Sequence, residues 1–318
     1  MKIAMVMDRW ELLKPYKDTS LLLLEAAHQR GHALFYIEAP HLKVLEGVPW
    51  AMASLLEAQS GAFAGFAHGS PAALDLRECD LIFMRKDPPF DLPYIYNTYV
   101  LELAERQGVR VINRPAALRD CNEKFFISHF PQCCAPTLIS ARMQDIEDFF
   151  SVHQDIILKP LDGMGGMGIL RIRADAVNLL SAIELLTHNG TVPIMAQQFI
   201  PEISAGDKRI LLIDGEPLPY ALARIPLRDL TRGNLAAGGR GEVQPLTADD
   251  FWICSQIAPT LVERGLRFVG IDVIGRFLTE INVTSPTCLR EIENEVALYS
   301  AQHFIERLEL EQEINPGL

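Results

Sequence analysis

The chain has 318 residues, 49% of them hydrophobic, and a formal net charge of −12. That length carries two or three domains with a sizeable core, and the negative balance excludes non-specific binding to nucleic acid or acidic membranes while leaving room for local basic sites. The apolar run that opens the chain, Met1 to Met7, is too short for a signal-peptide core, and no later stretch reaches the length of a membrane span, so a soluble cytoplasmic protein is expected.

In chain order, the first third alternates strand and helix. Strand patterns fall at 2–7, 33–38, 80–84 and 109–112, and helical patterns at 19–30 and 94–107, each closed by a glycine (Gly31, Gly108). This predicts an open α/β domain with a largely parallel sheet. Residues 41–76, rich in Ala, Gly and Ser, show no clear period, with room for a helix inside a long connection. After Asn113-Arg114-Pro115 the pattern changes to short strands at 155–159, 169–173, 193–198, 208–213, 217–224, 268–274 and 277–282. Helices are predicted near 145–152, 176–187, 247–264 and 290–309, an α+β unit in two lobes. The six cysteines (Cys79, Cys121, Cys133, Cys134, Cys254, Cys288) show no metal-binding spacing and read as reduced core or wall residues.

Within the second unit, "ILKPLDGMGGMGILRI" (Ile157 to Ile172) places four glycines in seven residues between two strand-like segments. It lacks the Lys-Ser/Thr of a phosphate-binding P-loop, and Ile169 to Arg173 alternates with a strand's period where a dinucleotide fingerprint would start a helix. Two readings remain: a loose hairpin, or a lid whose Cβ-free backbone closes over phosphates. A second Gly- and Arg-rich stretch, Ile225 to Glu242, reads as another mobile loop. Near the C-terminus, Asp272, Glu280 and Asn282 stand in otherwise apolar strands, and hard oxygen donors of this kind suit Mg²⁺ bridged to phosphates. Lys159 and Arg224 end apolar strands, where a charge needs a partner or a cleft.

These blocks, "RKDPPFD" (85–91), "RDCNEK" (119–124), "ILKPLDGMGG" (157–166), "GDKR" (206–209), "TRGNLAAGGRGE" (231–242) and "LTEINVTSPT" (278–287), together resemble bacterial glutathione synthetase, an ATP-grasp ligase. The resemblance covers about 80–290 strongly and implies a division into an N-terminal α/β substrate-side domain, 1–122, and an ATP-grasp domain, 123–318, with lobes about 123–200 and 201–318. It implies Lys124, Lys159, Asp162, Gly163, Gly165 and Gly166 at the phosphates, Gln197, Gln198, Phe199 and Ile200 at the adenine, and Asp207 at the ribose. Asp272, Glu280 and Asn282 would hold Mg²⁺ or Mn²⁺, Arg209 and Arg224 would face the reacting phosphoryl group, and Arg85, Asn234, Ser285 and Thr287 would bind substrate. The implied reaction joins γ-glutamylcysteine to glycine at the expense of ATP, in a homo-oligomer, commonly a tetramer. Another acceptor pair in the same ligase class, or an ATP-binding regulatory protein without activity, are the rival readings; the complete arginine and acid set argues against the second.

The hairpin at 268–282 sets a geometric condition on the acid cluster. Asp272 stands opposite Glu280 only if the pairing is centred on Arg276, which predicts a three-residue loop, Gly275-Arg276-Phe277, with Gly270 opposite Asn282 leaving space for an ion.

Overall fold

The computed structural model describes residues 1–58, 65–163, 166–175, 178–226 and 240–314. The first strand, β1 (Lys2–Met7), is buried along nearly its whole length and forms the centre of the first sheet. Asp18 caps α1 (Thr19–Gln29) by accepting from Leu21 N at 2.9 Å, and the helix lays Leu21, Leu23 and Leu24 on the sheet. β2 (Ala33–Glu38) returns parallel to β1.

Residues 41–76 contradict the helical expectation. They form β3 (Leu42–Leu45), β4 (Val48–Ala58), β5 (Phe66–His68) and β6 (Ala72–Asp75), with β4 pairing antiparallel to β2, β3, β5 and β6. The period-two signal was present in β4, where Pro49, Ala51 and Ala53 are buried, but alanines carry it, and alanine has little strand preference. β7 (Leu81–Met84), α2 (Leu92–Arg106), β8 (Arg110–Ile112) and α3 (Pro115–Asp120) complete the unit, whose sheet runs β3-β4-β2-β1-β7-β8 with a parallel core from β2 to β8.

The second sheet collects β9 (Thr137–Ser140), β10 (Asp155–Pro160), β11 (Leu170–Arg173) and β12 (Ile194–Gln198) in the order β11-β10-β12-β9, all antiparallel. α4 (Met143–His153) and α5 (Leu179–Leu186) cover it over a small separate core that includes Ile146, Leu158 and Ile183. The Gly-rich segment is thus the connection of a β10–β11 hairpin; Met164 and Gly165 lie outside the described residues.

The third sheet runs β15-β14-β13-β16-β17, from β13 (Asp207–Ile213), β14 (Glu216–Ile225), β15 (Arg240–Pro245), β16 (Phe268–Ile274) and β17 (Phe277–Asn282), with α6 (Ala248–Glu263) following β15. Of the second expected loop, Ile225 and Arg240 face each other in the β14–β15 ladder, and 227–239, including Asn234, lie outside the described residues. The single helix expected at 290–309 is two, α7 (Leu289–Glu295) and α8 (Ser300–Ile314). Val296 is extended, and Glu293 Oε1 accepts from Ala301 N at 3.0 Å, restarting the helix in a new direction. α8 then packs on α1, with Phe304 beside Phe83 and Phe268, so the last helix fills the space between the first and third sheets. No described helix is long and apolar enough to cross a membrane.

Asn113 joins the first unit to the third sheet. Its Nδ2 donates to Phe268 O (2.8 Å) and Val283 O (2.7 Å), and its Oδ1 accepts from Arg267 N (2.8 Å) and Phe268 N (2.9 Å). Every hydrogen-bonding position of a 3%-exposed amide is used. Asn113→Ala orphans four backbone groups and is expected to lower unfolding free energy by about 2–3 kcal/mol. A chemical denaturation curve that is unshifted would contradict this.

The β16–β17 hairpin corrects its predicted loop while keeping the predicted pairing. Ile274 pairs with Phe277, leaving a two-residue Gly275-Arg276 turn in which Gly275 takes φ 60°. A bulge then inserts Thr279, whose Oγ1 donates to Asp272 O at 3.1 Å, and the ladder continues with Asp272 opposite Glu280 and Gly270 opposite Asn282. Turn plus bulge supply the odd residue that the loop was expected to supply. The space above Gly270 is not open, however. A Cβ there would meet Arg209 Cδ and Pro286 Cβ at 2.9 Å, so the missing side chain makes room for Arg209 rather than for an ion.

Candidate active site

Two cavities of similar size meet between the sheets. The first, about 410 Å³, is a cleft between the second and third sheets that collects Lys159, Gly166, Gln197, Gln198, Phe199, Ile200, Asp207, Arg209, Arg224, Asp272, Glu280 and Asn282. The second, about 420 Å³, lies against the first unit and collects Arg85 with residues from the segment before α1 and from α7. Asp87, Pro88, Arg224, Ser285 and Thr287 border both. Asp162 lines a separate small crevice beside Asn122 rather than the cleft.

Antiparallel pairing explains the cluster at the cleft floor. Arg209 on β13 stands opposite Asp272 on β16, and Asp207 opposite Arg224 on β14. Asp272 accepts from Arg209 Nε at 2.5 Å and Nη2 at 3.0 Å, from Arg224 Nη2 at 2.9 Å and from Asn282 Nδ2 at 3.3 Å. Arg224 Nη2 also reaches Asp207 Oδ2 at 2.6 Å, while Asp207 Oδ1 is buried without a partner among the described residues. Burial alone would raise the Asp272 carboxyl, but the two guanidinium groups outweigh it and hold the group well below the ordinary carboxylate range. Asp207 goes the other way, pushed up to about 7 by burial against the partial compensation of Arg224.

The lysines differ in their partners. Lys124 Nζ, almost fully buried, contacts Glu123, Gly163 O and, at 3.6 Å, Glu280. Burial lowers its affinity for a proton, and Glu280 and Glu123 more than restore it. Lys159, 5% exposed, reaches only neutral oxygens within hydrogen-bonding distance among the described residues, Gln197 Oε1 at 3.3 Å and Thr279 O at 3.4 Å. Its pKa is lowered by burial. A buried ammonium held by neutral acceptors is a site for an incoming anion.

Sequence reasoning missed Glu123, whose carboxyl is raised by burial and by Glu280, although it precedes Lys124 in a quoted block. It also missed Arg171. This side chain, held bidentately by Asp155 at 2.8 and 2.6 Å, lies 3.3 Å from the Phe199 ring centroid and backs the cleft wall. No group of three His, Cys, Asp or Glu side chains forms a metal site among the described residues. The donor chemistry of Glu280 and Asn282 still fits a hard divalent ion that completes its shell with phosphate oxygens, while Asp272 is engaged by arginine. The cysteines are all free, and burial pushes Cys134 and Cys254 up to about 12, so the thiols are poor nucleophiles.

Two antiparallel sheets facing across a cation-lined cleft, behind a parallel α/β unit, make the ATP-grasp fold. A solved D-cycloserine synthetase superposes with TM-score 0.68 over 96% of this chain and 99% of its own at 15% identity, and a solved ATP-grasp ligase complexed with a minimal precursor, Mg and ADP with 0.63 over 98% of both at 16%. Sequence comparison narrows the class. The family models for the prokaryotic glutathione synthetase N-terminal and ATP-grasp domains match residues 1–119 and 123–297. The glutathione synthetases of Pseudomonas putida and Vibrio cholerae are 54% and 50% identical over 292 residues, 92% of this chain and 92% of each relative. The chain belongs to the prokaryotic glutathione synthetase family.

Proposed function

We propose that the chain ligates γ-glutamylcysteine to glycine, with ATP in the first cavity, the dipeptide in the second, and the reaction at their common wall. The observation that carries this reading is that wall: Arg224, Ser285 and Thr287 border both cavities, so a carboxylate from one side and a terminal phosphate from the other converge on one guanidinium. The cysteinyl carboxylate attacks the γ-phosphorus and ADP leaves; glycine's amine then attacks the acyl carbon, loses a proton, and phosphate departs. No protein nucleophile is needed, and rate comes from alignment and from neutralising charge as it spreads over the phosphoryl oxygens.

In this reading Lys124, Lys159 and the hairpin at Gly163, Gly165 and Gly166 hold phosphates, with Asp162 at their edge. Gln197 to Ile200 border the adenine and Asp207 takes the ribose. Arg209 fixes Asp272 and thereby Arg224, and Asn234 contributes to substrate binding. Glu280 and Asn282 would hold a divalent cation, Mg²⁺ or Mn²⁺, which neutralises phosphate charge when bound, with Asp272 beside them already engaged by the two arginines. The unit 1–122 lies on the dipeptide side, and the unit 123–318 holds the nucleotide and closes the dipeptide cavity with Arg224, Ser285, Thr287 and α7. The protein is read as working in the cytoplasm, as a homo-oligomer and, by family resemblance, a tetramer.

ADP release is expected to need the divalent ion, γ-glutamylcysteine and glycine together; equal release with free amino acids and no γ-glutamyl dipeptide would overturn the assignment. Lys159→Met keeps the apolar stem and removes the buried charge, and is expected to weaken ATP binding by about tenfold or more. Unchanged ATP affinity by calorimetry would remove Lys159 from the phosphate site.

A further inference from the structure

Of the described residues that border both cavities, Asp87, Pro88, Arg224, Ser285 and Thr287, Asp87 is the single acid. Its backbone is fixed in the loop after β7: Asp87 N donates to Asp8 Oδ2 at 2.9 Å, Asp8 Oδ1 pairs with Lys86 Nζ at 2.8 Å, and that Nζ donates to Asp87 O at 2.6 Å. The side chain stands outside this frame. It accepts from the Ser285 hydroxyl, forms no ion pair among the described residues, and is open to the space of the cavities. The neighbouring carboxyls are committed elsewhere. Asp272 and Asp207 are held by arginines, Glu280 faces Lys124, Asp18 caps α1, and Asp8 holds the loop. Glu123 and Glu291 each border only one of the two cavities.

Joining an acyl phosphate to an amino acid leaves a proton to be moved. Glycine arrives as an ammonium, which has no lone pair for attack, and the other charged group on the shared wall, Arg224, is already protonated. Resting on the ligase reading, we propose that Asp87 is the catalytic base of the second step: its carboxylate receives the glycine ammonium and takes one proton from it. The freed amine nitrogen bonds to the acyl carbon, and the bond from that carbon to the phosphate oxygen breaks. The departing phosphate carries away the second nitrogen proton as hydrogen phosphate, and Asp87 returns the first to water through the open cavity. A carboxylate at this point also draws in the amine end of glycine and repels its carboxylate end, so one group orients the acceptor and activates it. The surrounding walls withdraw water from the Asp87 carboxyl and push its pKa up, with Ser285 and Arg85 pulling it back, which makes it a stronger proton acceptor than an ordinary surface aspartate.

The test separates the two chemical steps. Asp87→Asn keeps the size of the side chain and an acceptor for Ser285 while removing the charge. In rapid-quench single turnovers the variant is expected to form ADP from ATP and γ-glutamylcysteine within about threefold of the parent rate, and to transfer the acyl group to glycine about 10²-fold or more slowly. Hydroxylamine is uncharged at neutral pH and needs no base, so with it in place of glycine the transfer step of the variant is expected to fall by no more than about threefold. Both steps slowed equally, a transfer step that is not slowed, or the same loss with glycine as with hydroxylamine would overturn the assignment of Asp87 while leaving the ligase reading standing. No turnover of γ-glutamylcysteine by the intact enzyme would overturn both.

Discussion

Arg224→Ala is expected to lower kcat by about 10²–10³-fold while changing KM for ATP by no more than about threefold. Arg224 is 8% exposed, stands on the wall between the two cavities, and is pinned by Asp207 at 2.6 Å and Asp272 at 2.9 Å. A guanidinium fixed in advance costs no reorganisation when charge develops on the transferring group, so its removal weakens transition-state stabilisation more than ground-state nucleotide binding. Loss of ATP affinity in step with turnover would assign Arg224 to binding instead. Arg224→Lys, which keeps the charge but not the fork, is expected to recover only part of the rate.

Asp272→Ala is expected to destabilise the fold by about 3–5 kcal/mol, because it leaves Arg209 and Arg224 buried without their shared counter-ion. The carboxyl is depressed in the folded protein, so its contribution is fully present above the unfolded value of about 4 and is lost as pH falls through the folded value. The variant is therefore expected to show a shallower loss of stability in acid than the parent. Denaturation midpoints that match at neutral pH, or identical acid limbs, would show that the pair contributes nothing net.

The legibility of the fold followed the strength of local periodicity. β1, β10 and β16 carried short apolar runs and the helix α1 an apolar run closed by Gly31, and the structure places them within a residue or two of expectation. β4 was lost because alanine, proline and methionine carry its alternation. α7 and α8 were merged because the break at Val296 is made by a side chain reaching across the turn, from Glu293 to Ala301 N, which no local propensity records. The 272/280 register was legible from the need to bring two acids together, but the bulge that achieves it was not, since inserting Thr279 depends on a cross-strand hydrogen bond.

The cleft residues were legible because acids and lysines in apolar strands are conspicuous, and because the blocks that contain them resemble one family. The second cavity was legible only in part, through Arg85, Ser285 and Thr287 in the quoted blocks. Lys17, Asp18 and Glu291 border it from segments separated by most of the chain, and each reads as ordinary surface charge until the fold brings α1 and α7 together. Asp162, a site residue by motif, lines a crevice beside the cleft.

The most direct test of phosphoryl transfer to the dipeptide at the shared wall follows the carboxylate oxygens. With γ-glutamylcysteine labelled by ¹⁸O in its cysteinyl carboxylate, and with unlabelled water, ATP and glycine, one labelled oxygen is expected in each inorganic phosphate released alongside glutathione. Phosphate free of label, with the oxygen lost from the carboxylate appearing in water instead, would contradict activation of that carboxylate by ATP and with it the account of this site.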